Sequence, residues 1–227
     1  MKIKPILADM SGRLQGIVAS HNRGGQYFRG RTIPDTPPTA PQTAVRVHMA
    51  TCVNNWTQVL TNVERSNWND YAAINPEVNG FGDQVNIGGL GWFVRANISR
   101  LLAGIAPVTT APVSSGPAGL TPPTVSLIAG DDFAVAFNDA DAWANQDDGA
   151  LLLFASRGIS PTRFSAAGIP LQFAGIIPGD SGTAPTSPQA IATVFSYVTG
   201  QKVFYRLIAL EEDGRRSPSS AGELIVT

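Results

Sequence analysis

Apolar residues change their spacing once along the chain. Before about residue 104 they recur at three- and four-residue intervals, and beyond residue 123 they alternate. Val45, Met49, Cys52, Val53, Trp56 and Leu60 follow helical spacing behind Thr39-Ala-Pro-Gln42, which has capping-box spacing with a proline in the first turn. A second box, Thr61-Asn-Val-Glu64, opens a shorter helix carrying Val63, Trp68, Tyr71 and Ala72, and Asn75-Pro76 ends it. Asn79-Gly80 and Gly82-Asp83 mark a turn or a tiny hairpin. The pattern predicts a third helix over 89–102, with Leu90, Phe93, Ile98 and Leu101 facing inward and Gly104 as its stop.

The residues ahead of these helices read as strands. Pro5 confines 2–7 to an edge, and 14–20 and 26–32 flank His21-Asn22-Arg23-Gly24-Gly25, a good turn sequence. After residue 123, candidate strands are 125–129, 133–137, 150–156, 171–176, 191–198, 202–211 and 223–227. Seven short strands with turn signals between them imply a β-sandwich. Val203, Tyr205, Leu207 and Ala209 alternate onto one face.

Residues 106–123 lie between the two patterns and are rich in Pro, Thr and Ser. Proline removes backbone donors and fixes φ, so this run is expected to be an extended, semi-rigid linker that few contacts cross. The domain reading is therefore 1–105 for a hairpin-and-helix assembly domain, 106–123 for the linker and 124–227 for the sandwich.

Charge adds an asymmetry. The 227-residue chain has a net charge of −1, which disfavours a general nucleic-acid or membrane binder. Within the first 50 residues, Lys2, Lys4, Arg13, Arg23, Arg29, Arg31 and Arg46 face only Asp9 and Asp35, a balance of +5 against −6 for the remainder. Arg13, Arg23, Arg29 and Arg31, with Tyr27 and Phe28, make the hairpin a candidate assembly interface, since arginine and aromatic residues are favoured at interfaces. The alternative, phosphate contact and base stacking, has no recognised nucleic-acid module to support it. The opening Met-Lys-Ile-Lys-Pro-Ile-Leu-Ala-Asp lacks a sustained apolar run, so no secretory leader is expected, and no window approaches a membrane span.

Catalytic chemistry is short of material. His21 lies in a turn, His48 beside a helical stripe, and the single cysteine, Cys52, has no partner for a disulfide or a nucleophile motif. No P-loop, Rossmann fingerprint or nucleophile elbow is present. The loop 138–149 collects Asp139, Asp141, Asn145, Asp147 and Asp148, oxygen groups that could hold calcium, but their spacing matches no EF-hand. A solvated loop is expected there, with no metal and no cofactor. The same loop, with 158–170, is a candidate ligand surface, and Trp143 would be its anchor.

Pro122-Pro123, Phe133-Ala-Val135-Ala-Phe137 and Tyr205-Arg-Leu207-Ile-Ala209, followed by Asp213-Gly214 and Ser217, give the second half a pattern that resembles the fibronectin type III family. It departs where that family usually has a tryptophan near the end of its second strand; Phe137 stands there. The segments 138–149 and 158–188 are long for the family, and an inserted hairpin would account for the excess. Ser11-Gly-Arg-Leu-Gln-Gly-Ile-Val-Ala-Ser-His-Asn-Arg-Gly-Gly-Gln-Tyr-Phe-Arg, then Arg46, Trp56, Glu64-Arg65, Trp68, Tyr71-Ala72, Gly91, Phe93-Val-Arg95, Asn97 and Arg100, resemble a family of proteins of phage genomes and bacteria that has no known activity.

The resemblances imply an α+β N-terminal domain, a β-hairpin plus three helices, followed by an all-β fibronectin-III/immunoglobulin-like sandwich. They imply a non-enzymatic structural component of a phage virion or similar particle, made in the host cytoplasm. Its N-terminal part would anchor it and its sandwich would be displayed. Its partners would be copies of itself and other virion proteins, with a host surface ligand as a further partner. The alternatives are a surface binding module for a glycan or host protein, and a nucleic-acid-packaging protein.

Overall fold

A computed structural model describes residues 11–22, 25–32, 38–78 and 81–227. The chain divides into two compact units, 1–42 and 43–227. The expected edge strand over 2–7 lies outside the described residues, as does Arg23.

The first unit is a three-stranded antiparallel sheet, β1 (Gly12–Leu14), β2 (Ile17–Asn22) and β3 (Gly25–Gly30), with β2 in the centre. The β2–β3 hairpin was expected; β1 was not. It is joined to β2 by Gln15-Gly16, where Gln15 takes the left-handed φ of 47°. Beyond β3 the Arg31 N–H still donates to the Gly16 carbonyl at 2.8 Å. Of the residues in 11–42 whose exposure is described, none is buried.

The second unit begins with helices. α1 (Ala40–Asn54) runs into one π-helical turn, Asn55–Val59, closed by the Leu60 N–H on the Asn55 carbonyl at 2.9 Å. α2 (Asn62–Ile74) carries the expected capping box: the Glu64 N–H reaches the Thr61 hydroxyl at 3.2 Å, and the Glu64 carboxylate accepts the Thr61 N–H at 2.7 Å. β4 (Glu77–Val78) and β5 (Gln84–Val85) pair as a small antiparallel ribbon before α3 (Gly88–Leu102). Gly89 lets α3 start hard against α2, because a Cβ there would lie 2.7 Å from the Asn69 backbone nitrogen.

Cys52, Leu60, Trp68, Tyr71, Phe93 and Ala96 form the helical core, with Trp56 half-buried against it. Two inward assignments fail. Leu90 is exposed, and of the α1 stripe Val45, Met49 and Val53 are each more than 40% exposed while Cys52 alone is fully buried. The stripe is helical in period, but among the described residues nothing covers its N-terminal part. Among the described residues no helix is long and apolar enough to cross a membrane.

Residues 106–123 are irregular, as their prolines require, but they are not a free spacer. The Trp68 indole donates to the Thr109 carbonyl at 2.8 Å, and the Asn97 amide bonds Val108 through both its oxygen (2.7 Å) and its nitrogen (3.0 Å). The Gly116 N–H meets Asn75 Oδ1 at 2.9 Å, and Ala118 is buried with its N–H on the Arg216 carbonyl. Side chains of α2 and α3 thus supply the acceptors and donors that a sheet would have supplied.

Seven antiparallel strands follow: β6 (Thr124–Leu127), β7 (Phe133–Ala136), β8 (Ala150–Ala155), β9 (Gln172–Pro178), β10 (Gln189–Ile191), β11 (Lys202–Leu210) and β12 (Ser220–Ile225). They form a sheet of order β10-β7-β6 and another of order β12-β11-β8-β9. Phe133, Val135, Leu151, Leu153, Ile177, Val203 and Leu207 fill one core cluster contributed by both. The outer face of β8 and β11 is also buried: Ala150, Leu152 and Leu210 lie under Leu102 and Ile105, at the end of α3.

The expected strand 191–198 shrinks to β10. Tyr197 instead turns inward, its hydroxyl donating to the Ser156 carbonyl at 2.8 Å. Residues 158–188 contain β9 and irregular chain, with no inserted hairpin among the described residues. The fold is α+β: three helices and several antiparallel sheets.

Candidate functional site

The hairpin residues fall on two distinct faces. Register pairs Arg13 with Val18 and Val18 with Arg29, so both arginines flank Val18 on one side of the sheet. Tyr27, opposite Ser20, shares that side, being two residues from Arg29. Phe28, opposite Ala19, lies on the other side with Ile17, which is 48% exposed. Arg31 follows β3 and is exposed, so the basic side consists of Arg13 and Arg29 in register with Arg31 close behind. His21 pairs with Gln26 across the strands, and His48 is half-buried on α1; neither joins a cluster.

In the acidic loop, Trp143 does not take the expected place as a surface anchor. Trp143 is fully buried in a short 3₁₀ turn, its ring 5.2 Å from that of Phe137. Gly149 and Gly179 make this possible: a Cβ on either would lie within about 2 Å of the Trp143 carbonyl oxygen (2.0 and 2.1 Å). Trp143 is therefore a core residue and no surface anchor.

The acids hold chain segments. Asp141 accepts the Thr121 N–H (2.9 Å) and hydroxyl (2.7 Å), and Asp147 accepts the Ser181 N–H at 2.8 Å, which holds its carboxyl below the usual range. The Asp139 carbonyl receives the Asn145 amide at 2.8 Å. Asp148 binds Arg100 at 2.7 Å. Among the described residues no three His, Cys, Asp or Glu side chains are grouped so as to hold a metal.

Arg100 is the polar centre of the second unit. It is 2% exposed, and besides Asp148 it donates from Nε to the Ala106 carbonyl and from Nη1 to the Glu212 carbonyl, both at 2.7 Å. One guanidinium fork thus joins α3 to the 106–123 segment, the β11–β12 turn and the loop ahead of β8. Sequence reasoning noted Arg100 only as part of a pattern.

A second feature was missed altogether. A cleft of about 550 Å³ opens between α2, α3, the 106–123 segment and the β11–β12 turn, and Tyr71, Trp92, Arg95, Arg215 and Arg216 are in its wall. Its residues come from five separate stretches, Gln84 of β5 included, so no local motif marks it.

No protein-family model matches the chain, and no curated protein matches it. Among solved structures, the twitchin kinase region from C. elegans (Fn31-NL-kin-CRD-Ig26) is similar over 48% of this chain at 11% identity, with a TM-score of 0.29; the match spans 17% of that chain.

Proposed function

We propose that this chain is a non-enzymatic structural component of a phage virion or a similar particle, held by its N-terminal sheet and displaying its C-terminal sandwich. One observation carries the anchoring half: of the residues in 11–42 whose exposure is described, none is buried. Three short strands with no core of their own are marginal in water, because ordering them costs chain entropy that no apolar burial offsets. The unit gains its missing contacts from other chains. Among the described residues β1 and β3 are the edge strands, open to strand pairing, and the Arg13–Val18–Arg29 row presents charge for an acidic neighbour. In the second unit, Val45, Met49 and Val53 of α1 are separately exposed apolar residues.

The displayed half is a fibronectin-III-like sandwich. Three strands over four, all antiparallel, with the chain crossing between sheets after β7, β9 and β10, support that reading. Such a domain serves as a rigid spacer, and the buried Arg100 network that ties it to the helices suits a spacer. The partners are other copies of this chain and other virion proteins.

The test is charge reversal at the sheet. Arg13→Glu together with Arg29→Glu should lower incorporation into purified particles at least several-fold, and the effect should depend on ionic strength during assembly. Unchanged incorporation of the double variant at all salt concentrations removes the sheet from the interface.

A further inference from the structure

The cleft in the second unit has an uneven charge pattern. Arg95 is paired with Glu77 and lies over the Trp92 ring, its Cζ 4.9 Å from the ring centre. Arg215 is paired with both Asp213 and Glu211. Among the described residues no carboxylate pairs with Arg216. Its Nη1 donates to the Ser99 hydroxyl at 3.0 Å, and its Nε is buried without an acceptor. Burial, with Arg95 nearby adding repulsion, pushes the Arg216 pKa down to about 10. A largely buried cation without a counter-ion is costly, and such groups are ordinarily paired.

The wall beside it is aromatic. Tyr71 meets Trp92 edge to face at 5.4 Å and 88°, and the Trp92 indole N–H is also buried without an acceptor. A concave site of this size, mostly apolar with a few convergent polar groups and a perturbed titratable side chain, is what a small-molecule pocket requires. The pairing pattern selects the ligand. Arg95 is held by Glu77 and Arg215 by Asp213 and Glu211, so the group is neutral overall, and Arg216 is the guanidinium of the three that none of these carboxylates contacts. A single carboxylate suits that one guanidinium, whereas a phosphate dianion would add more negative charge beside the carboxylates already there.

We propose that this cleft binds a small organic acid, with its carboxylate against Arg216 and a ring-sized body against Trp92 and Tyr71. The guanidinium fork suits a carboxylate bidentately, and the aromatic wall accepts either a flat apolar ring or the C–H face of a sugar acid. This site is independent of the anchoring sheet.

The test uses the full chain and two probe acids, benzoate and glucuronate, followed by the indole N–H resonances, with Trp92→Phe assigning the one from Trp92. Saturable binding of either acid that shifts the Trp92 resonance is expected. Benzoate alone identifies an apolar body and glucuronate alone a sugar acid, and both outcomes support the site. Neutral benzamide should bind at least tenfold more weakly than benzoate if benzoate is the acid taken up, and inorganic phosphate more weakly than the better acid.

Arg216→Gln should abolish binding without lowering the melting temperature, and Arg216→Lys should retain a fraction of it. Absence of saturable binding by both acids overturns the proposal. So does benzamide equalling benzoate, phosphate binding more tightly than either acid, or undiminished binding by Arg216→Gln. If the glutamine variant does not fold, the wild-type ratios and the lysine variant decide.

Discussion

Arg100 on α3 and Asp148 just ahead of β8 meet at 2.7 Å, and the pair is lopsided: the arginine side chain is 3% exposed, the aspartate 55%. The two ends therefore differ in worth. Arg100→Ala removes the donor to the Ala106 and Glu212 carbonyls and empties the centre of the unit, where the arginine is 2% exposed, and should cost about 3 kcal/mol in urea unfolding. Asp148→Asn removes a half-solvated partner and should cost under about 1 kcal/mol. Equal costs would show that the ion pair, rather than the carbonyl contacts, is what matters.

The sandwich should not stand well alone. Part of the outer face of its four-stranded sheet is buried too: Leu102 and Ile105 cover Ala150, Leu152 and Leu210 of β8 and β11. Residues 122–227 expressed alone should expose that face, bind a hydrophobic dye and melt below residues 43–227. A fragment as stable and as soluble as the longer chain would restore the independent boundary that the Pro-rich segment suggests.

Trp143→Ala should destabilise the chain by about 3–5 kcal/mol, as expected for a fully buried tryptophan. Trp56→Ala should cost less, because that ring is only half-buried. Denaturant melts of the two variants give the order, and the reverse order would contradict the core assignments.

These elements differ in how far the sequence could disclose them. Thr61 and Glu64 are legible because a capping box is a local, four-residue pattern. Lys202–Leu210 is legible because alternation there matches a strand with one face on the main core. Trp143 is not: its loop is polar on both sides, and its burial depends on Gly149 and Gly179 letting two distant backbones close over it. The double-sided burial of β8 did leave a signal, the unbroken apolar run Ala150-Leu-Leu-Leu-Phe-Ala, which is how a strand covered on both faces reads. α1 shows the opposite failure, since its stripe marks a helix face without saying whether anything covers it. The Arg95, Arg215 and Arg216 grouping is long-range and leaves no local trace.

Acid should loosen the start of α2. The Thr61 backbone N–H, and then its hydroxyl, hold the Glu64 carboxyl below its ordinary range. A lowered folded-state pKa stabilises the fold fully above the unfolded value of about 4.3, and that contribution is lost as pH falls through the lower folded value. A carboxyl chemical-shift titration should place the Glu64 midpoint below that of an unfolded glutamate. A midpoint at or above it would mean the cap is open in solution.

The anchoring role of the N-terminal sheet is tested most directly by counting. Particles purified from cells that make the chain with or without residues 12–32 are compared by quantitative mass spectrometry, with the second unit's fold checked separately by circular dichroism. The chain should be a repeated particle component when the sheet is present and fall to background without it, while the remaining unit keeps its helix and strand signal. Normal copy number in the absence of residues 12–32, or absence of the intact chain from particles, would contradict the proposed function.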